Sequence, residues 1–376
     1  MDISDANNQF ALDVLREIGN ELVGQNVVFA PLSILMTMIM VYSGAGGNTA
    51  AQMGKVLHVN NIKNVNPKCK NVLVELFQSN PDYKLRNMNK LFGEKTYQFL
   101  PSYLGALNAS YGAVLEKVDF LNDTERTRQY INEWITNQTD GKIKELLPKK
   151  SVSSNTALAV VNVLYFLANW TKQFDGKTTK KGSFKLITGE EVNVDMMFTA
   201  NKFNFNYISN PGLSIIELPY GKTQGLSMFV LLPNNNTVLK KLDLQISYKD
   251  IANWVSETNM KPVNVALHLP KFRIEQSIPL RNILSSMGMS DPFDPLRANF
   301  TQMTDRDNLF VSDVHHKTFI EVNERGTEAA SATAAVITSR SSLREQFNAD
   351  HPFHFFIREK KTQCILIYGK TPSHWK

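Results

Sequence analysis

Along the first two dozen residues the apolar positions Phe10, Ala11, Val14, Leu15, Ile18 and Leu22 recur at 3.6-residue spacing and predict an amphipathic helix. The next run, Val27 to Val41 (VVFAPLSILMTMIMV), is apolar almost throughout. It holds Pro31, Ser33 and Thr37 and ends at Ser43-Gly44, shorter than the roughly 20 residues of a membrane span, so it predicts a fully buried helix. Thr124 to Gln138 reads as a helix with Asn122 or Thr124 as its cap. Tyr130, Ile131, Trp134 and Ile135 form its buried stripe, and Asp140-Gly141 ends it. Ala157 to Phe166 (ALAVVNVLYF) has the β-rich, non-alternating character of a strand buried on both faces, and Asn162 inside it needs hydrogen-bond partners. Ser214 to Asn234 predicts two strands around a polar turn, and Val263 to Glu275 alternates as one strand. Leu280 to Phe293 is a short amphipathic helix closed by Gly288, and Asp350 to Lys370 is a hairpin of apolar strands around a charged turn.

The stretch Glu324 to Ser341 (ERGTEAASATAAVITSRS) differs from all of these. Taken at period two, one face carries Thr327, Ala329, Ser331, Thr333, Ala335 and Ile337, none charged or bulky. The other carries Glu328, Ala330, Ala332, Ala334, Val336 and Thr338, so the one charge of the insertable part can point to solvent. Such a segment could slide between two strands without burying an unpaired charge. Its composition also tolerates helix or loop and equally fits a flexible linker, while Gly326 supplies the backbone freedom of a hinge.

The chain has 376 residues, 43% of them hydrophobic, enough for a large core in one to three domains. A net charge of +6 permits a polyanion contact without requiring one; the lysines are scattered, the densest being Lys177, Lys180, Lys181 and Lys185, no aromatic residues interleave with Arg as in a nucleic-acid platform, and the group reads as a solvated face. Cys69 and Cys364 are far apart in sequence, and a chain of this size needs no disulfide. The start, MDISDANNQFALDVL, lacks the basic and apolar regions of a secretory signal, which points to the cytosol, or to secretion if a leader has been removed. Six Asn-x-Ser/Thr sequons, at Asn108, Asn122, Asn137, Asn169, Asn235 and Asn299, pull the other way. His315-His316 lies near Asp313 and Ser312, but neighbours along a strand face opposite ways, so core or latch histidines are expected there and not a triad. No G-x-S-x-G, phosphate loop, H-E-x-x-H or Cys/His metal spacing occurs, so neither an enzyme nor a cofactor is expected.

Glu324 to Thr333 (ERGTEAASAT) closely resembles the hinge of the reactive loop in inhibitory serpins, and the resemblance runs almost from end to end. It includes NVVFAPLSI at 26–34, AGGNTAAQMGKVLH at 45–58, NMNKLFGEKTYQFLPSYL from Asn87 and INEWITNQTDGKIKELL from Ile131. The terminal hairpin resembles that of the ovalbumin-like, leaderless group. Two departures stand out: Ala30 where the family usually has Ser, and Leu167-Ala168 for the usual Lys-Gly.

The resemblance implies an α+β serpin fold, with three β-sheets and about eight or nine helices in one domain over 1–376, and an exposed reactive-centre loop at about 324–349. It implies a hinge and inserting segment formed by Glu324, Gly326, Thr327, Glu328, Ala329, Ala330, Ser331, Ala332 and Thr333. It also implies a sheet-opening latch of Ser33, Asn162 and His316. Counting seventeen residues from Glu324, as inhibitory serpins usually do, puts the scissile bond at Arg340-Ser341, with Arg344 as a second candidate. A cationic residue before the cut suits the acidic pocket of a trypsin-like serine protease, the expected covalent partner of a monomeric inhibitor without membrane contact. A papain-like cysteine protease, a non-inhibitory serpin whose loop is cut without trapping, and a weaker polyanion partner such as heparin are the alternatives.

Overall fold

The first apolar stripe forms helix α1 (Ile3–Glu21), opened by a capping box between Asp2 and Asp5, with Phe10, Val14, Leu15 and Ile18 fully buried. The computed structural model describes residues 2–22, 24–77, 82–112, 115–306, 308–327 and 345–371. The run expected as one helix is split into strand β1 (Val27–Phe29) and helix α2 (Pro31–Tyr42). Pro31 is the cause: lacking an N–H and fixed in φ, it suits the first helical position and leaves the preceding residues extended. Both halves are buried, so no periodicity distinguished them.

Then follow α3 (Gly47–Val56), α4 (Val65–Leu76), β2 (Tyr83–Glu94), α5 (Pro101–Tyr111), β3 (Leu115–Val118), α6 (Thr124–Gln138) and β4 (Leu158–Asn169). After them come β5 (Lys180–Lys185), β6 (Glu191–Ile208), β7 (Leu213–Tyr220), β8 (Leu226–Pro233), α7 (Asn236–Leu244), α8 (Tyr248–Trp254), β9 (Lys261–Pro270) and β10 (Phe272–Pro279). The chain closes with α9 (Leu280–Ser286), β11 (Val311–Asn323), β12 (Gly326–Thr327), β13 (Glu345–Asn348), β14 (His354–Glu359) and β15 (Ile365–Lys370). The alternation of 263–275 therefore spans two strands that part at Lys271 and join different sheets. Of the segment 324–349, residues 345–348 are strand, paired parallel with β9.

The described strands form two hydrogen-bonded networks. One runs β1-β15-β14-β8-β7-β6-β9-β13, with β5 also on β6. The 18-residue β6 pairs with β5 early, with β9 through its middle and with β7 late, so it carries one ladder into the next and joins layers that would otherwise count as separate sheets. The other network runs β10-β11-β12-β4-β2-β3, and β11 also pairs parallel with β4.

Strand β4 is apolar without alternation because both its faces are covered. Ala159, Val161, Val163 and Tyr165 pack with Ile131 and Ile135 of α6, whereas Leu158, Val160, Leu164 and Phe166 join the main core with α2. On α6, Trp134 is partly buried, but Tyr130 is 44% exposed, because its hydroxyl donates outward to Glu116 at 2.7 Å. The N-cap of α6 is Asp123, without a side-chain cap bond; Asn122 is one position too early and the Thr124 hydroxyl turns back to the Phe120 carbonyl.

Candidate functional site

At one end of the six-stranded sheet β4 and β11 stand apart, and β12 fills the gap. Gly326 and Thr327 pair antiparallel with Asn323 and Val322 on one side and with Asn169 and Ala168 on the other. Gly326 has φ +147°, and a Cβ there would lie 2.1 Å from the Ala168 carbonyl oxygen, so only glycine fits. Thr327 is fully buried, its hydroxyl 3.0 Å from that of Tyr220. Burial raises the Tyr220 pKa far enough to keep that hydroxyl protonated. Tyr220 stacks on Trp170 at 4.4 Å, and the Trp170 indole donates to the Asn323 carbonyl at 3.0 Å. The turn before the gap is held by Trp170 N donating to Arg325 O and Phe174 N to Glu324 O, both 2.8 Å. The Glu324 carboxylate accepts from Thr179 at 2.9 Å and pairs with Lys271 at 3.1 Å. Burial pushes this carboxyl's pKa up, but its own backbone N–H, Thr179 and Lys271 outweigh that and hold it below the usual range.

Farther along, β4 and β11 pair directly, from Leu158 with Val311 to Tyr165 with Phe319. Asn162 and His316 are opposite one another in this parallel ladder, and His316 Nδ1 lies 2.5 Å from Asn162 Oδ1. The hydrogen bonds around them have one consistent direction. His316 Nε2 accepts from Ala30 N at 3.2 Å and sits 2.7 Å from the Thr318 hydroxyl, so the ring's single proton is on Nδ1 and is donated to Asn162. The Asn162 amide then donates to Ser33 and Asn89 at 2.5 Å each and to Thr37 at 2.9 Å. The Ser33 hydroxyl in turn donates to Asn87 Oδ1. Burial lowers the His316 pKa to about 3, consistent with a neutral ring that accepts at Nε2. Where the family usually has Ser, Ala30 contributes its backbone N–H to the histidine and leaves α2 without a side-chain cap.

The structure thus brings Ser33, Asn162 and His316 together and places Glu324, Gly326 and Thr327 at the mouth of the same seam. Glu328, Ala329, Ala330, Ser331, Ala332, Thr333, Arg340, Ser341 and Arg344 lie outside the described residues. His315 turns away from His316, with Asp313 at 3.9 Å, and Ser312 Oγ accepts from Ala157 N, so these residues form no triad. Both cysteines are free and buried, and burial pushes their thiols up to about 12 for Cys69 and about 11 for Cys364. In the basic group Lys181 pairs with Asp195 at 2.8 Å. Among the described residues there is no His/Cys/Asp/Glu group suited to a metal, and no helix is long and apolar enough to cross a membrane.

Sequence reasoning missed Thr37, Asn87, Asn89, Thr318 and Tyr220. Some of these left a signal. Asn87 and Asn89 share a strand face with Leu85 and Leu91, Thr37 follows Ser33 by one helical turn, and Thr318 lies two residues beyond His316 on the same face. Tyr220 left none, because its partner is 107 residues away.

Residues 5–373 match the family model described as serpin (serine protease inhibitor). The chain is 40% identical over 376 residues to leukocyte elastase inhibitor of Xenopus tropicalis, covering 99% of both chains. It is also 40% identical to human Serpin B8 over 373 residues, again with 99% of each covered. Uncleaved ovalbumin superposes over the whole of both chains with a TM-score of 0.92 at 29% identity. The chain therefore belongs to the serpin family and, with these relatives, to its ovalbumin-like branch.

Proposed function

We propose that this protein is an inhibitory serpin whose bait is Arg340-Ser341 and whose targets are trypsin-like serine proteases. The observation that carries this reading is the seating of Gly326 and Thr327 between β4 and β11, because a strand continuing from Thr327 needs only the parallel β4–β11 ladder to part. The protease serine attacks the Arg340 carbonyl carbon, and the Ser341 nitrogen leaves with a proton from the protease histidine, giving an acyl-enzyme ester. The freed segment 327–340 then enters the seam, a transition known for serpins. At about 3.4 Å per residue it carries the attached protease on the order of 50 Å.

One parallel ladder is exchanged for two antiparallel ones, whose pairing is slightly stronger per residue. At about 1 kcal/mol net per added bond, roughly a dozen bonds supply on the order of 10 kcal/mol against the distortion of the protease. The uncut form is accordingly held by a barrier. Side-chain parity supports the reading: Thr327 is buried, and in an inserted strand Ala329, Ser331 and Thr333 would follow it onto that face while Glu328 would fall on the other. Arg340 also separates this chain from the relative named for elastase, since elastase has a small specificity pocket.

The test is to mix the protein with trypsin and examine it by denaturing electrophoresis, with mass spectrometry of the released peptide. A covalent complex and a peptide beginning at Ser341 are expected, and Arg340→Ala should abolish both. Clean cleavage without a complex overturns inhibition, and a complex that survives Arg340→Ala moves the bond elsewhere.

A further inference from the structure

In the connection from β13 to β14, His351 lies between two groups that can only accept. Its Nδ1 is 2.7 Å from Asp350 Oδ1, and its Nε2 is 2.7 Å from the Pro233 carbonyl oxygen. A neutral imidazole carries one N–H and can satisfy only one of them, so this arrangement requires the doubly protonated ring. Burial lowers the His351 pKa, but the Asp350 carboxylate and the Pro233 carbonyl outweigh it and leave the value raised. Three elements meet here. Pro233 ends β8, Asp350 and His351 lead into β14, and the Asp350 carbonyl accepts from Lys185 N, at the end of β5, at 2.8 Å. The other charges lining this junction are Lys185 of β5 and Glu191 of β6, which accepts from the Ser183 hydroxyl at 2.7 Å. Asn234 to Thr237, at the start of α7, bring no charged side chain to it.

The strand that this junction secures has little else to hold it. Among the described residues β13 pairs with β9 alone, and of its four side chains only Phe347 is buried. Beyond the ladder, Ala349 N donates to the His268 carbonyl at 3.0 Å and His268 Nδ1 lies 2.9 Å from Asn348 Oδ1. That ring nitrogen can remain a donor when His268 is neutral, so His351 is the group whose charge the anchorage depends on. We propose that His351, as an imidazolium, is a positioning residue for the bait: it pins the connection after β13 and thereby fixes the far end of the segment that presents Arg340. Loss of one ring proton removes one of the two bonds, and β13 loosens with the connection. The tie is complete below about pH 6.5 and slackens as pH rises through the raised folded pKa. The effect on the bait rests on the inhibitory reading above; the clasp itself does not.

Nitrogen-15 NMR of the full chain, with His351→Gln to assign the signal, reads the ring directly. Both nitrogens should carry protons at about pH 6, with a midpoint above the ordinary histidine value of about 6.5. Asp350→Asn keeps an acceptor oxygen but removes the charge, and should lower that midpoint. Hydrogen exchange of the β13 amides, taken as a ratio to those of β14 so that the intrinsic pH dependence cancels, should quicken about fivefold or more between about pH 6 and about pH 8.5. His351→Gln should show the faster ratio at both, and Asp350→Asn should move the change to lower pH. A ring with a single proton at about pH 6, or a β13 ratio that ignores pH, overturns the clasp.

The rate constant for association with trypsin tests the positioning role. Dividing the parent's value by that of His351→Gln cancels the protease's own titration. The quotient should be about threefold or more at about pH 6, because a tied segment holds the bait in a narrower range of orientations, and should approach one at about pH 8.5. A quotient that does not change with pH overturns the positioning role. A protein that shows the clasp but forms no trypsin complex at either pH refutes the inhibitory reading, and the positioning role with it, but upholds the clasp. A trypsin complex formed by a protein whose His351 is neutral at about pH 6 does the reverse.

Discussion

Two places in this molecule hold neighbouring strands together by opposite means. In the wall formed by β8, β14 and β15 the ladders are antiparallel and every residue is buried except Arg358, which is partly exposed and lies 4.8 Å over the Phe229 ring. Phe229, Phe356 and Tyr368 stack in series there, at 5.0 and 6.0 Å. Across the β4–β11 seam the ladder is parallel and side-chain hydrogen bonds cross it from His316 to Asn162 and on to Ser33. Apolar surface pulled out of the wall finds only water, so any opening there costs its full burial energy. Hydrogen bonds in the seam can be exchanged for those of an arriving strand, which makes polar stitching the suitable choice where a sheet must open.

The contrast can be broken by experiment. Phe356→Ala should have the largest effect, a loss of about 3–5 kcal/mol of unfolding free energy by denaturant titration, and a loss below about 1 kcal/mol would mean that the wall is not the rigid member of the pair. Asn162→Ala should cost about 1–3 kcal/mol by leaving the His316 N–H without its acceptor. Amide exchange should then quicken along β4 and β11 but not along β14, and uniform quickening would show that the seam has no separate opening.

Acid should act on the seam in one direction. With its folded pKa depressed, His316 binds more protons unfolded than folded, so its contribution is full above about pH 6.5 and is lost as pH falls toward about 3. On the order of 1 kcal/mol should disappear between about pH 7 and pH 5.5. Buried His315 and His354 act in the same sense and His351, whose pKa is raised, in the opposite one, so the measurement is the slope lost in His316→Gln. Glu324→Gln should have the smallest effect, below about 1 kcal/mol, because Lys271 is 38% exposed and the Thr179 bond can persist. A loss as large as that of Asn162→Ala would place the strength of the seam at its mouth.

What the sequence disclosed divides along the same physical line. Asn162 was legible because a polar residue inside an unbroken apolar strand requires partners, and α6 because its period and its Asp140-Gly141 stop agree; both of those residues have positive φ. The boundary inside 27–41 was not, since burial on all sides erases period, and only Pro31 marked it. The division at Lys271 was hidden because two strands met with their alternation in phase. The clasp of Tyr220 on Thr327 and the pairing of Lys271 with Glu324 join residues far apart in the chain, which local pattern cannot report. The hinge was recognised by likeness to a family, because its composition alone equally fitted a linker.

Gly326 also acts as the zero of a ruler. Because no side chain fits against the Ala168 carbonyl, the chain cannot slip past this point in either direction, and Thr327 is fixed as the first residue beneath the sheet surface. In the proposed insertion every later residue is counted from it, and a single added or deleted residue would turn all those after it to the opposite face. Glu328 would then exchange places with its small neighbours, and a charge would be driven into the core. The proposed bait could therefore vary in identity far more freely than the segment leading to it could vary in length.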